Sequence, residues 1–280
     1  MGNILLSEED VNLFNDLHTH IYVDFEYIHS KIYTGYQKRS VLNRLGKLTK
    51  ANYLKFEYLP SMSVRYQTRK SGRPKRIYTL TPQGVDIVRG FRGEVHWKSK
   101  WSQRPASFVY HSLMLSHVEC AMTIASRQAE KLELKAWINE PRGTFQYANG
   151  KKQIIRPDGT AVIGLKNEFD KNMCVFIEME RSHGSKDALH KKILRYNDFM
   201  QREEKLVEYR MHTGIAYDLP LWRLVFVAGS ETRKNELIRY LKDISSPEIQ
   251  VYITLFEDIL QDPFGVIYQN IRNSDKKVRL

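Results

Sequence analysis

The stretch from Gln153 to Ser182 constrains the fold most, because it holds two apolar, β-branched segments that end in carboxylates. The first reads Gln-Ile-Ile-Arg-Pro-Asp-Gly-Thr-Ala-Val-Ile, and the second reads Cys-Val-Phe-Ile-Glu-Met-Glu-Arg-Ser. Both segments predict strands, with Asp158 closing the first strand. Glu178 and Glu180 are two positions apart on the second strand, so their side chains should point to the same face of a sheet.

Pairing of these two strands would gather three carboxylates at one end of a hydrophobic sheet. Like-charge repulsion and partial desolvation make such a cluster costly, so another group should offset it. A divalent metal such as Mg²⁺, with Asp158 and Glu178 as ligands, is one candidate. A basic side chain is the other candidate, supplied by Arg156, Arg181 or Lys192.

At 280 residues the chain is long enough for two domains of ordinary size. Its first residues lack a basic segment followed by a long apolar one, so we predict no signal peptide. No apolar run is long enough to span a bilayer, so we predict no membrane association. Cys120 and Cys174 lie in apolar patterns, which indicates buried free thiols and a reducing cytoplasm.

The net charge of +12 is spread unevenly along the chain. Residues 1–104 carry 18 Lys and Arg against 9 Asp and Glu, a net of +9. Residues 105–280 carry 26 against 23, a net of +3. This asymmetry predicts a polyanionic partner for the first third of the chain, and double-stranded DNA is the simplest such partner.

Residues 1–90 predict three helices followed by a hairpin with a basic loop between its two strands. This is the winged helix-turn-helix plan, in which the third helix, here 37–52, enters the major groove and the hairpin contacts the backbone or minor groove. On that helix we expect a buried stripe of Val41, Leu42, Leu45 and Leu48. The plain alternative is a surface helix and a hairpin whose charges serve solubility. The predicted DNA contacts are Gln37, Lys38, Arg39, Asn43, Arg44, Lys47, Arg65, Arg69, Lys70, Arg73, Lys75 and Arg76.

The remaining chain predicts a linker over 91–106, a second domain over 107–272 and a loose basic tail over 273–280. Trp97 and Trp101 should pack part of the linker. The second domain alternates helices and strands, with one helix predicted over 186–210. This alternation predicts an α/β (α+β overall) fold with a central mixed sheet flanked by helices.

A helix, three strands carrying Pro157-Asp158 and Glu178-x-Glu180, and then a helix and a strand resemble the PD-(D/E)xK nuclease core. The resemblance implies that Asp158 and Glu178 bind magnesium. A metal-dependent nuclease mechanism in this chain could also use Glu119 or Glu140 as a ligand. The family's usual Lys, which helps to activate water, is replaced by Glu180, as in some restriction endonucleases of this fold. If the domain is active, its catalytic residues are Asp158, Glu178, Glu180 and Lys192.

A second resemblance covers nearly the whole chain. Five short motifs occur in the order found in the replication-relaxation family of plasmids and other mobile elements. They are Tyr78-x-Leu-Thr-x-x-Gly84, a helix opening near His111, Pro157-Asp158-Gly159, Glu178-x-Glu180-Arg181 and Lys192-x-x-x-Tyr196. The resemblance implies DNA binding in plasmid replication, relaxation, transfer or their regulation, with a replication or relaxase protein as a partner.

We therefore predict a cytoplasmic double-stranded DNA-binding protein whose nuclease-like domain lacks catalysis. In that case Asp158 caps a turn, and basic side chains neutralise Glu178 and Glu180. One alternative is a divalent-metal-dependent DNA endonuclease that uses Asp158, Glu178 and Glu180. Another is a transcriptional repressor whose second domain binds a peptide or another protein, and homodimeric binding to inverted half-sites would favour this alternative. Tyr196 lies on an apolar helix face, so we predict that it packs in the core rather than acting as a nucleophile.

Overall fold

The computed structural model describes residues 4–59, 75–93, 95, 97–150, 153–181, 184–242, 244 and 248–280. The chain divides into two compact units, Met1–Cys120 and Ala121–Leu280, which we call the N-terminal unit and the C-terminal unit. Four of the predicted DNA contacts lie outside the described residues, namely Arg65, Arg69, Lys70 and Arg73.

The N-terminal unit consists of short helices and a small antiparallel sheet. Its first helix begins at a capping box formed by Ser7 and Asp10, and its fourth begins at Thr81 with Pro82 in the first turn. The elements are α1 (Glu8–His20), β1 (Val23–Asp24), α2 (Phe25–Tyr27), a π-helical turn (Ile28–Ile32), α3 (Lys38–Lys50), β2 (Leu54–Tyr58), β3 (Arg76–Leu80), α4 (Pro82–Arg92), a 3₁₀ turn (Ser99–Ser102) and the beginning of α5 (Ala106–Gln128).

The three strands of the N-terminal unit are ordered β1-β3-β2, and both pairings are antiparallel. On α3 the buried residues are Val41, Leu45 and Leu48, as the periodicity predicts. Leu42 was expected in the same buried stripe, but it is 44% exposed, because its position one residue after Val41 places it at the edge of the stripe.

The segment predicted as a linker packs partly through its tryptophans. Trp97 and Trp101 lie with ring centroids 5.9 Å apart and pack against a core that includes Tyr22 and Ile77. The division between the two units falls after Cys120, within α5, whereas the predicted linker covered 91–106.

The C-terminal unit completes α5 and adds the larger sheet. Its elements are β4 (Leu132–Asn139), α6 (Glu140–Gly143), β5 (Phe145–Gln146), β6 (Ile154–Ile155), β7 (Gly159–Leu165), β8 (Asn172–Glu180), α7 (Lys186–Met200), α8 (Glu203–Thr213), β9 (Leu221–Ala228), α9 (Glu231–Leu241), β10 (Gln250–Leu255), α10 (Phe256–Gln261), β11 (Tyr268–Asn270) and β12 (Asn273–Val278).

The seven-stranded sheet has the order β12-β11-β10-β9-β8-β7-β4. The central strands β8, β9 and β10 are parallel, and the outer pairings are antiparallel. A core rich in aromatic side chains, including Phe176, Phe199 and Phe226, joins one face of the sheet to α7, α8 and α9. The predicted α/β class, with a mixed sheet flanked by helices, is confirmed.

Three local predictions are wrong. Asp158 does not close a strand but directly precedes β7, because Pro157 cannot donate a ladder hydrogen bond and interrupts the segment. The helix predicted over 186–210 is two helices, and the acidic residues Glu203 and Glu204 open the second, where they complement the helix dipole. The basic tail forms strand β12, because an edge strand can carry charged side chains on its exposed faces.

Both cysteines are buried free thiols, as predicted. Among the described helices, none combines the length and the apolar character needed to cross a bilayer.

Candidate functional site

Three carboxylates gather at one end of the large sheet, where β8 finishes and β7 begins. Antiparallel pairing of β7 with β8 brings Asp158 beside the last residues of β8. Asp158 Oδ2 accepts a hydrogen bond from the Met179 backbone N–H at 2.7 Å. Glu178 and Glu180, on either side of Met179, both point toward α7, so the same-face prediction from strand alternation is correct in the structure.

Lys192 lies between the two glutamates. Its Nζ is 2.8 Å from Glu178 Oε2 and 3.2 Å from Glu180 Oε1. Tyr196, one helical turn later on α7, donates its hydroxyl to Glu178 Oε1 at 2.6 Å. The spacing of four residues places Lys192 and Tyr196 on one face of α7, so both side chains reach Glu178. Tyr196 is also buried in the core, as predicted.

Arg233 completes the cluster, and the sequence analysis missed it. Its Nη2 lies 2.9 Å from Glu180 Oε2, its Nη1 lies 3.2 Å from Glu236, and the residue is 2% exposed. Arg233 lies in the first turn of α9, where the helix dipole disfavours a cation. A buried cation at that position needs a carboxylate partner. An Arg in the first turn of a predicted helix could have indicated that such a partner exists, but it does not identify Glu180.

The other two predicted basic partners take no part. Within the described part of the chain, neither Arg156 nor Arg181 forms an ion pair with the three carboxylates. Lys192 and Arg233 therefore supply the positive charge that offsets the cluster.

Burial and the neighbouring charges shift the pKa values of Glu178 and Lys192. It raises the pKa of Glu178 to about 7, against the opposing effects of the Lys192 ammonium and the Tyr196 hydroxyl. Burial also tends to lower the pKa of Lys192, but the charges of Glu178 and Glu180 outweigh it and raise that pKa above its ordinary value. Lys192 thus stays charged, while Glu178 changes its charge near neutral pH.

These donors do not fit a magnesium ion as they are arranged. Both oxygens of Glu178 and both oxygens of Glu180 already accept hydrogen bonds from Lys192, Tyr196 or Arg233. The Lys192 ammonium occupies the place between the carboxylates that a cation would take. Across the described residues, no group of three or more His, Cys, Asp or Glu side chains is placed to hold a metal ion.

Glu119, proposed as a further metal ligand, instead belongs to a buried network within the N-terminal unit. Its carboxylate lies 2.8 Å from Lys31 Nζ and 3.6 Å from His20 Nε2, and it accepts from the Tyr27 hydroxyl at 2.9 Å. Burial opposes its ionisation, but His20 and Lys31 overcome that effect and lower its pKa to about 2. No local sequence pattern indicates this network, because its members lie on four separate elements, α1, α2, the π-helical turn and α5.

The predicted DNA contacts on α3 fall into two groups. One group is exposed at the protein surface: Gln37, Lys38, Arg39, Asn43 and Lys47. Arg44 forms the other group. Its guanidinium pairs with Asp10, which is fully buried, and donates to the Leu5 carbonyl at 2.7 Å. Arg44 therefore ties α3 to the start of α1.

Two further predicted contacts, at the base of the hairpin, have partners within the N-terminal unit. Lys75 Nζ lies 3.0 Å from Glu26 Oε2. The Arg76 guanidinium lies over the Phe56 ring, 4.7 Å from its centroid. Both side chains are thus held by neighbours on the protein.

The two units define the class of protein: an N-terminal unit of helices with a three-stranded sheet, and a mixed α/β unit whose strand-end carboxylates are neutralised by Lys and Arg. A family model described as Replication-relaxation matches residues 14–215. The chain belongs to this family.

Two solved structures are similar over 93% of this chain. One is the restriction endonuclease FokI, with 12% identity, a TM-score of 0.34 and 44% of its chain covered. The other is FokI bound to DNA, with 11% identity, a TM-score of 0.29 and 45% of its chain covered. The chain thus spans less than half the length of each. No curated protein matches.

Proposed function

We propose that this chain is a double-stranded DNA-binding protein in which the N-terminal unit is a winged helix and α3 enters the major groove. The order α1, β1, α2, α3, β2, β3 supports this proposal, because it places a hairpin directly after the third helix. The family description, Replication-relaxation, supports a role in replication or relaxation. We propose that this role serves a plasmid or other mobile element, including its transfer or transcriptional control.

The observation that carries the proposal is the exposed face of α3. The helix sequence Lys-Arg-Ser-Val-Leu-Asn-Arg-Leu-Gly-Lys-Leu-Thr-Lys contains no acidic residue. Lys38, Arg39, Lys47 and Lys50 are exposed, and within the described part of the chain none of the four pairs with a carboxylate. Their spacing along the helix gathers them on its outer side. Unpaired cations on an exposed helix face suit phosphates and base edges.

Leu42 and Asn43 add base-reading chemistry to the same face. Asn side chains bond adenine in the major groove, and an apolar side chain can contact the methyl group of thymine. Without DNA, the exposed part of the Leu42 side chain faces water, which is unfavourable for an apolar surface. Binding in the groove would cover that surface.

We propose that the C-terminal unit supports assembly or partner contact without cleaving DNA. Lys192 and Arg233 neutralise the carboxylates that a metal-dependent nuclease would need free. A replication or relaxase protein, or a second copy of this chain, is the proposed protein partner. Two buried free thiols suit the reducing cytoplasm.

Gly46 gives a sharp test of the α3 face. It is exposed on α3, and a Cβ added there meets nothing within 4 Å. Gly46→Glu therefore places a carboxylate on the proposed DNA-contacting face without disturbing the packing. Gly90→Glu is the matched control, since Gly90 is equally exposed and open on α4.

The measurement is fluorescence anisotropy with duplex DNA of mixed sequence across a series of salt concentrations. Gly46→Glu should weaken binding about tenfold or more, while Gly90→Glu should change it by less than about threefold. If both variants bind as the native protein does, or both lose binding equally, α3 is not the DNA-contacting helix.

A plasmid-nicking assay with Mg²⁺ or Mn²⁺ tests the absence of catalysis. We expect the native protein to leave plasmid intact while shifting it on a gel. Cleavage by the native protein but not by Asp158→Ala would establish the endonuclease alternative instead.

A further inference from the structure

A cavity of about 500 Å³ opens in the C-terminal unit at the end of the sheet opposite the carboxylate cluster. It lies where β7 ends and where β8 and β9 begin, and its volume is typical of a small-molecule site. Its apolar wall includes Leu132, Ile163, Leu165, Met173, Leu221 and Phe264.

The charged side chains around this cavity are mostly basic. Lys171, Arg223 and Arg279 line it, against one acidic side chain, Asp170. Lys171 already has a partner, because its Nζ lies 3.3 Å from Glu168 Oε1. Arg223 and Arg279 have no carboxylate within ion-pair distance among the described residues, although Asp170 and the chain-terminal Leu280 also line the cavity.

Arg223 is the more informative of the two, because its position on β9 leaves it only partly exposed. Its Nη1 donates to the Trp222 carbonyl at 2.9 Å, while its Nε is buried with no acceptor among the described residues. A partly desolvated guanidinium without an anion is unfavourable. Arg233, at the other end of the sheet, has a buried Nε without an acceptor too, but its Nη1 and Nη2 each pair with a carboxylate, and Arg223 has no carboxylate partner among the described residues. An anion in the cavity would supply what Arg223 lacks.

We propose that this cavity binds a small amphipathic carboxylate. The aliphatic or aromatic body of the ligand lies against the apolar wall, and its carboxylate accepts hydrogen bonds from the Arg223 guanidinium. Guanidinium and carboxylate groups match in geometry as well as in charge. The proposal is independent of DNA binding by α3.

Isothermal titration of the full chain with monomeric decanoate and with decanol tests both parts of the site. The two probes share an alkyl chain and differ in charge. Decanoate should bind about tenfold to a hundredfold more tightly than decanol, because a hydrogen-bonded charge adds to the apolar contact. Equal binding of the two probes, or no binding of either, would overturn the proposal.

Two variants locate the site. Arg223→Gln should remove the preference for decanoate, whereas Arg239→Gln, which removes the same charge from an exposed position on α9, should keep it. Leu221→Trp should weaken both probes by filling the cavity, and it should fold because Leu221 is 48% exposed. Thermal unfolding checks that each variant is folded.

A vesicle arm separates a cavity ligand from a membrane lipid. Sedimentation with phosphatidylglycerol vesicles, at a salt concentration high enough to screen the exposed basic residues of α3, should leave the protein in the supernatant. Binding to the vesicles without binding to monomeric decanoate would contradict a cavity site, as would decanoate binding that Arg223→Gln and Leu221→Trp leave unchanged.

Discussion

The Lys192 ammonium lies 2.8 Å from the carboxylate of Glu178, a residue that is only 1% exposed. The positive charge of Lys192 stabilises the buried negative charge of Glu178. Lys192→Met should lower the free energy of unfolding by about 2 kcal/mol or more at pH 8, because it leaves a buried charge without its partner. Urea denaturation measures this. The double variant Lys192→Met with Glu178→Gln should recover part of the loss, and strict additivity of the two changes would argue against the pairing.

The raised pKa of Glu178 predicts a pH dependence of stability. Its pKa is about 7 in the folded protein against an ordinary value of 4.5, so the folded state binds more protons between those pH values. The free energy of unfolding should therefore fall as pH rises through this window. Glu178→Gln lacks this titration. Its free energy of unfolding minus that of the native protein should therefore grow as pH rises, by on the order of 3 kcal/mol between pH 4.5 and 8. A difference that does not vary with pH would contradict this.

Arg44 and Lys47 should separate stability from DNA binding on α3. Arg44→Ala leaves the fully buried Asp10 carboxylate without its cationic partner and should lower the free energy of unfolding by about 3 kcal/mol. Lys47→Ala, at an exposed position, should change it by less than about 0.5 kcal/mol. In a salt titration of DNA binding, Lys47→Ala should reduce the slope by about 1. Equal free energies of unfolding for the two variants would contradict a structural role for Arg44.

Gly84 and Gly90 lie on the same helix and should respond oppositely to alanine. A Cβ at Gly84 would overlap the Tyr53 carbonyl oxygen, whereas a Cβ at Gly90 meets nothing within 4 Å. Gly84→Ala should therefore destabilise the protein by about 2 kcal/mol or more, despite the better helix propensity of alanine. Gly90→Ala should stabilise it by up to about 1 kcal/mol. Thermal melts followed by circular dichroism distinguish these outcomes, and similar shifts for both would rule out the close contact at Gly84.

Features set by local periodicity could be predicted from the sequence. Strand alternation placed Glu178 and Glu180 on one face, and the i, i+4 spacing of Lys192 and Tyr196 placed both on one side of α7. Helix α3 was predicted to within two residues, because its buried positions recur at the helical period.

Features set by the order of strands or the packing of distant helices could not be predicted in this way. Arg233 reaches Glu180 only because β9 lies parallel and adjacent to β8, which no local pattern states. Arg44 and Asp10 lie on different helices, so the same basic side chain that suits DNA on sequence grounds is used within the fold. Residues 273–280 were likewise predicted as a tail because they are polar and basic. Their pairing with β11 depends on backbone hydrogen bonds, which the charge of the side chains does not reveal.

Strand β12 also determines how this protein should be handled at the bench. It covers β11, and its Lys276 and Lys277 are exposed charges on the outermost strand of the sheet. Shortening the chain at residue 272, a trim that a basic tail would invite, would bare the hydrogen-bonding groups of β11 as a template for another chain. The shortened protein should self-associate more readily than the full chain, because β12 would no longer cover the hydrogen-bonding edge of β11.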